Sequence, residues 1–230
     1  MAYEYLFSAL PPLPEKIGDK VAIGPAELWQ LVCAEGGKVE KMARALVYRC
    51  DIRAMELESL GIDPSGVAII DETSVRDKSK RPSWISAILE KSDQNVANDF
   101  RSVWLTYYSR LMHTASECGS FFVTSYSRWE MAQRNAMAER RGSLFEYARG
   151  DESRFDDVGF VWPYEFKSLT EELSSQFERG FNAWKDVDKI VASLRIEKAK
   201  ALAPEYSFTF DELMSYVIQY MVYREFSYLK

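Results

Sequence analysis

The chain has 230 residues, of which 47% are hydrophobic and 14% aromatic, so its composition is far from that of disordered segments. A chain of this length can bury roughly 70 to 75% of its unfolded surface and needs neither disulfides nor metals to close a core. Its formal charge of −6 speaks against a nucleic-acid binder, which uses a net basic field to displace counterions.

The first stretch, MAYEYLFSALPPLP, lacks a basic region and has only a short apolar run before its prolines, which does not fit a secretory signal. Pro11, Pro12 and Pro14 forbid helix continuation and favour extended backbone, so residues 3–14 are expected to form an extended N-terminal strap or a short strand. Gly24-Pro25 opens a short helix that closes at Gly36-Gly37. From Val39 the apolar positions Met42, Ala43, Leu46, Val47, Cys50, Ala54 and Leu57 follow helical spacing, and Gly61 stops the run. The next stretch, GIDPSGVAII, reads as loop with room for a short strand. Residues 71–82, with Arg76, Lys78, Lys80 and Arg81, read as a charged loop without the interleaved aromatics of a single-strand binder.

Trp84 to Lys91 suits a short helix. A long one follows, with Val96, Phe100, Val103, Trp104, Tyr107, Tyr108, Leu111 and Ala115 on one broad face and Cys118-Gly119 at its end. The next runs from about Ser120 through Arg141, capped by Gly142, and should pair with it as a hairpin. A break at residues 150–163 precedes a mostly helical run from Tyr164 to Ala203, which Pro204 ends. Thr209 to Tyr228 is strongly periodic, with Asp211 and Glu212 in the first turn where the macrodipole favours acids. The fold class is therefore all-α, with six to eight helices. No stretch reaches the roughly 18 consecutive apolar residues of a membrane span, so direct membrane insertion is not expected.

Charge is localised. Residues 151–178 hold eight Asp and Glu against Arg154 and Lys167, which matches the whole excess of −6. Such a segment is a solvated face or an acidic patch for a basic partner. Cys33, Cys50 and Cys118 are odd in number and widely spaced within helical patterns, as reduced, buried thiols are.

The parts of a catalytic site are sparse. His113 is the only histidine, which rules out paired Glu-x-x-His metal motifs and leaves it a structural reading. Neither a nucleophile elbow nor a phosphate-binding glycine loop occurs. Asp156-Asp157 is the nearest approach to an acidic metal motif, and an enzyme using it stands as the third hypothesis. Glu171-Glu172 and Asp211-Glu212 are better explained as first-turn charges.

An aromatic followed closely by arginine and an acid recurs on three helices: Tyr48-Arg49-Cys50-Asp51, Tyr126-Ser127-Arg128-Trp129-Glu130 and Tyr223-Arg224-Glu225. Arginine offers carboxylates a planar fork and stacks on aromatic faces, so such residues at a helix crossing can fix the register between bundles. On the second of these helices Glu130 and Arg134 suit an i, i+4 pair, while Ala132 and Ala136 let another helix approach closely.

Taken together, YEYLFSALPPLP, ALVYRCDIRAMELESLG, FFVTSYSRWEMAQRNAMAERRG and FTFDELMSYVIQYMVYREFSYL resemble a bacterial family of unassigned function encoded with V-type (A/V-type) ATPases. That family is itself similar to the C-type central-stalk component of those ATPases, the d-type component of the vacuolar ones. The resemblance implies two or more packed three-helix-like modules within a single helical domain of residues 1–230, with one division at 1–70 plus 83–150, and 151–230. It also implies a non-enzymatic, cofactor-free protein on the cytoplasmic face of a membrane complex, linking the central-shaft subunits to the membrane rotor ring. Arg134-Asn135 matches the family's Arg-Asn pair, and Asp51 with Arg53 the corresponding place in an earlier module. Asp51, Arg53, Glu130, Arg134, Asn135, Arg140, Arg141, Arg224 and Glu225 are then candidate contacts between modules or with partners, with Glu130, Arg134 and Asn135 as locks between modules and Arg140 and Arg141 as outward contacts. The competing reading is a free-standing helical adaptor or assembly factor that binds a helical partner.

Overall fold

The computed structural model describes residues 3–70, 72–90, 96–144, 184–203 and 206–228, and among these the secondary structure is helical throughout, with no strand. The helices are α1 (Glu4–Ala9), α2 (Pro25–Glu35), α3 (Gly37–Ser59), α4 (Glu72–Arg76), α5 (Ser83–Leu89), α6 (Val96–Cys118), α7 (Phe121–Leu144), α8 (Trp184–Leu202) and α9 (Phe210–Tyr228). A 3-10 turn, Lys78–Lys80, follows α4. The all-α class is as expected. The acidic segment 151–178, Asp156-Asp157, Glu171-Glu172 and the break at 150–163 lie outside the described residues.

Four long helices close a ring, α3 on α6, α6 on α7, α7 on α9 and α9 on α3, with α8 packed on α7 and α9. Side-chain contacts fix the directions. The Tyr107 hydroxyl donates to the Leu46 carbonyl at 3.2 Å and the Cys118 thiol lies 3.9 Å from the Lys38 carbonyl, so α6 runs antiparallel to α3. Lys38 covers the Phe210 ring at one end and Arg49 meets Glu225 further along, so α3 and α9 are parallel. Ser120 donates to Asp211 at 2.7 Å, which starts α7 beside the start of α9. Ser215 donates to the Ala199 carbonyl and Arg195 faces Glu225, so α8 runs against α9. Thus α3, α7 and α9 point one way, and α6 and α8 the other.

The space between the ring helices is filled by one contiguous apolar core, including Met42, Leu46, Ile52, Tyr108, Phe122, Met131, Leu213, Met214 and Tyr220. Each such side chain contributes roughly 1.5–3 kcal/mol by leaving water. Periodicity assigns α3 one apolar face, yet Arg49, Asp51, Ile52 and Met55 are buried as well, because α2, α4, α6 and α9 surround it. The left-handed conformation of Gly36 (φ 65°) and of Gly119 (φ 69°) makes the tight junctions α2–α3 and α6–α7, which an L side chain rarely allows.

Several expectations are corrected. Residues 4–9 are helical instead of extended: Pro11 holds Leu10 in the β region (ψ 123°) but leaves the turn before it free, and buried Leu6 anchors that turn. The extended strap is confined to the residues after α1, tied down by Tyr216 to the Pro11 carbonyl and Tyr220 to the Ile23 carbonyl. Residues 72–80 are not plain loop, since Val75 is buried and pins α4, and Asp77 accepts from Ser79 to close the 3-10 turn. Residues 61–70 form turns, not a strand. The α7 helix runs through Gly142 to Leu144, so that glycine is not its cap. Of the three free thiols only Cys50 is buried, and His113 is exposed, 3.6 Å from Glu117.

Candidate functional site

Two residues apart on a helix turn the side chain through about 200°, so Arg49 and Asp51 leave α3 on nearly opposite sides. Arg49 points to α7 and α9, where one guanidinium nitrogen meets the Glu130 carboxylate and the other lies 2.8 Å from Glu225. All three helices that carry the aromatic, arginine and acid pattern therefore meet at one point. Their parallel course is what brings the three copies to the same level.

Two further arginines surround the carboxylates. From α8, Arg195 stands 3.7 Å from both Glu130 and Glu225, held by an Nε donation to Gln133 at 2.9 Å. From α7, Arg134 lies 3.9 Å from Glu130 one turn back, as the i, i+4 spacing suggests. Its guanidinium is also 4.3 Å above the Trp104 ring and 5.8 Å from that of Tyr108. A cation desolvated against such faces gains on the order of 2 kcal/mol.

Burial pushes the Glu130 and Glu225 carboxyls up, but the arginines outweigh it and hold both below the usual range, Glu225 at about 2. Arg49 stays charged because its two carboxylates more than offset its desolvation. Burial, with a smaller push from Glu130, raises the phenols of Tyr107, Tyr108 and Tyr126, so the aromatic wall is neutral. Three arginines thus face two glutamates in a largely water-free setting. Such a network orders helices well; its net contribution to stability is small, but breaking it by removing one partner is costly.

On the far side of α3, Asp51 accepts from the amides of Ile69 (2.8 Å) and Ile70 (3.3 Å). Arg224 of α9 reaches the same loop and donates to the carbonyls of Gly66, Val67 (3.2 Å) and Ala68 (3.1 Å). The loop lies over a recess of ≈130 Å³ whose lining includes Arg49, Cys50, Arg53, Leu57, Ile62, Val67 and Glu225. Burial drives the Cys50 thiol up to about 12, so it stays protonated and is no nucleophile at neutral pH. Arg53 sits at the rim, donating to Glu56 at 2.6 Å.

The structure therefore gathers Glu130, Arg134 and Glu225 into one cluster and places Asp51 and Arg224 on one loop. Arg53 lies on the recess, whose wall it shares with Arg49 and Glu225 of the cluster. The side chains of Asn135, Arg140 and Arg141 lie outside the described residues. Arg49 and Arg195 were missing from the sequence candidates. The repeated pattern already contained Arg49, whereas Arg195 in SLRIEKAK carries no signal beyond ordinary helical charge.

Among the described residues no group of three or more His, Cys, Asp or Glu side chains could hold a metal ion, and no helix is long and apolar enough to cross a membrane. Comparison with protein-family models, with curated proteins and with solved structures gives no match.

Proposed function

We propose that this chain is a non-enzymatic helical component of a V-type ATPase, similar to the C-type central-stalk component. In that role it links the central rotor shaft to the membrane rotor ring on its cytoplasmic side and so supports ion transport. The observation that carries the reading is the junction of Arg49, Glu130 and Glu225. It ties together α3, α7 and α9, the helices formed by three of the four stretches that resemble the family. A part that transmits torque needs helices that cannot slip past one another, and a buried, directional ion network resists slippage better than apolar contact does.

On this reading the chain is a reduced set of the family's three-helix-like modules, with Glu130, Arg134, Asn135, Arg224 and Glu225 between modules, Asp51 fastening a loop of its own module, Arg53 beside the junction, and Arg140 and Arg141 facing partners. The shaft and ring contacts should together bury more than roughly 1,000 Å². The test is isolation of the intact ATPase from solubilised membranes. One copy of this chain per rotor, retained through purification, is the expected result, and a chain that stays behind while shaft and ring subunits purify together rejects the reading.

The filled core between α3, α6, α7 and α9 also suits a second reading, a free-standing helical adaptor or assembly factor that binds a helical partner on its surface. Its signature in the same experiment is presence in assembly intermediates and absence from the finished complex.

A further inference from the structure

Lys41 and Arg44 of α3 and Arg110 of α6 converge on a groove of ≈380 Å³ that α5 closes at one side with Ser83 and Trp84. Tyr48, Tyr107 and Leu111 also line it, and among its described lining residues there is no acidic side chain. In a chain of net charge −6 that concentration of positive charge is against the average. Lys41 and Arg44 each hold a carboxylate from the rim, Glu117 at 2.9 Å and Glu40 at 2.8 Å, with His113 also beside Glu117. The Lys41–Glu117 pair is exposed and the Arg44–Glu40 pair half-buried within one turn of α3; surface pairs of this kind are worth little and exchange for a competing carboxylate. Arg110 stacks 5.4 Å above Trp84, which holds its guanidinium at the groove without using up its hydrogen-bond donors, while Arg44 lies 4.9 Å above Trp29 of α2.

We propose that this groove binds an acidic polypeptide segment in which carboxylates are interspersed with apolar side chains. Its carboxylates pair with Arg110, Arg44 and Lys41, and its apolar groups lie against Trp84, Tyr48 and Leu111. Charge complementarity selects the acid. The aromatic floor selects a peptide over a bare anion, since phosphate gains nothing from an apolar surface. Such binding is independent of the ATPase reading, because it uses a surface of α3, α5 and α6 and not the junction of α3, α7 and α9.

The test titrates the full chain with a fluorescent peptide of alternating glutamate and leucine, with its glutamine counterpart, and with inorganic phosphate, while backbone NMR maps the contact. Saturable binding of the glutamate peptide, with shifts confined to α3, α5 and α6 and a steep loss on added salt, is expected. Arg110→Glu should weaken it about tenfold or more, and Arg110→Gln less, both variants keeping the native helical spectrum because Arg110 is exposed. Equal binding of the glutamine peptide, full displacement by phosphate, shifts elsewhere on the protein, or an affinity unmoved by Arg110→Glu each overturns the proposal, as does the absence of binding.

Discussion

Asp51 and Arg224 grip one loop by its two complementary sets of backbone groups. Asp51 takes the amides of Ile69 and Ile70, and Arg224 donates to the carbonyls of Gly66, Val67 and Ala68. The two residues lie far apart in the chain, yet each lets the other's helix hold a segment without secondary structure of its own. Where a loop is buried its polar backbone must be satisfied, and here two charged side chains do it. Asp51→Ala should therefore cost about 2–3 kcal/mol in urea unfolding. It should also raise hydrogen exchange selectively at Ile69 and Ile70. Unchanged exchange there would show that the loop is held by its apolar contacts instead.

Arg49 is shared by Glu130 and Glu225, so its loss leaves one buried and one half-buried carboxylate with Arg195 and Arg134 alone. Arg49→Met is expected to destabilise the fold by about 3–5 kcal/mol. Adding Glu130→Gln to it should cost much less than the two single changes summed. Additive losses in the double-mutant cycle would mean that the pair is not coupled.

The same network sets a response to acid. Glu225 titrates at about 2 in the fold against an ordinary 4.5, so its contribution is complete above about 4.5 and is lost as the pH falls towards 2. Glu130 is shifted in the same direction and adds to that slope. Because Glu225 is 29% exposed, solvent screens part of the effect. Thermal unfolding between pH 7 and pH 2 should show the melting temperature falling over that window, with a shallower fall in Glu225→Gln. A variant with the same acid limb as the native chain would remove Glu225 as its source.

Glu212 caps the start of α9 in an unusual way: its carboxylate accepts from the amides of Tyr206, Ser207 and Phe208, while the Thr209 hydroxyl accepts from the Glu212 amide at 3.3 Å. Tyr206 and Phe208 have positive φ, 58° and 51°, a conformation that side chains other than glycine adopt at a cost. Glu212→Ala is expected to lower stability by about 1–2 kcal/mol. It should also loosen Tyr206 and Phe208 in NMR relaxation, and relaxation unchanged at both would show that packing alone sets the turn.

The three thiols should differ in reactivity. Cys50 is buried and its thiol is raised to about 12, whereas Cys33 and Cys118 are partly exposed, their thiols raised by the burial they do have. A disulfide reagent on the native protein should label Cys33 and Cys118, and Cys50 only on unfolding. Prompt labelling of Cys50 in native buffer would mean that the recess beside it opens readily.

The sequence by itself determined where the long helices lie, placing them by apolar period and bounding α2, α3, α6 and α9 by local chemistry: a proline in the first turn, a positive-φ glycine, or first-turn acids. It also marked Asp51, Glu130, Arg134, Arg224 and Glu225 through the spacing of arginines and acids around aromatics. Local rules failed where a few contacts overrule them. Leu6 and Val75, both buried, fold α1 and α4 out of stretches that prolines and charge make look extended or loop-like. Only the tertiary structure decided that α3, α7 and α9 run parallel, and that this brings Arg49 to Glu130 and Glu225 and adds Arg195 from α8. Helical spacing fixes which side of its own helix a residue occupies. Which helix stands opposite depends on closing the ring across long separations in the chain, and no local pattern encodes that.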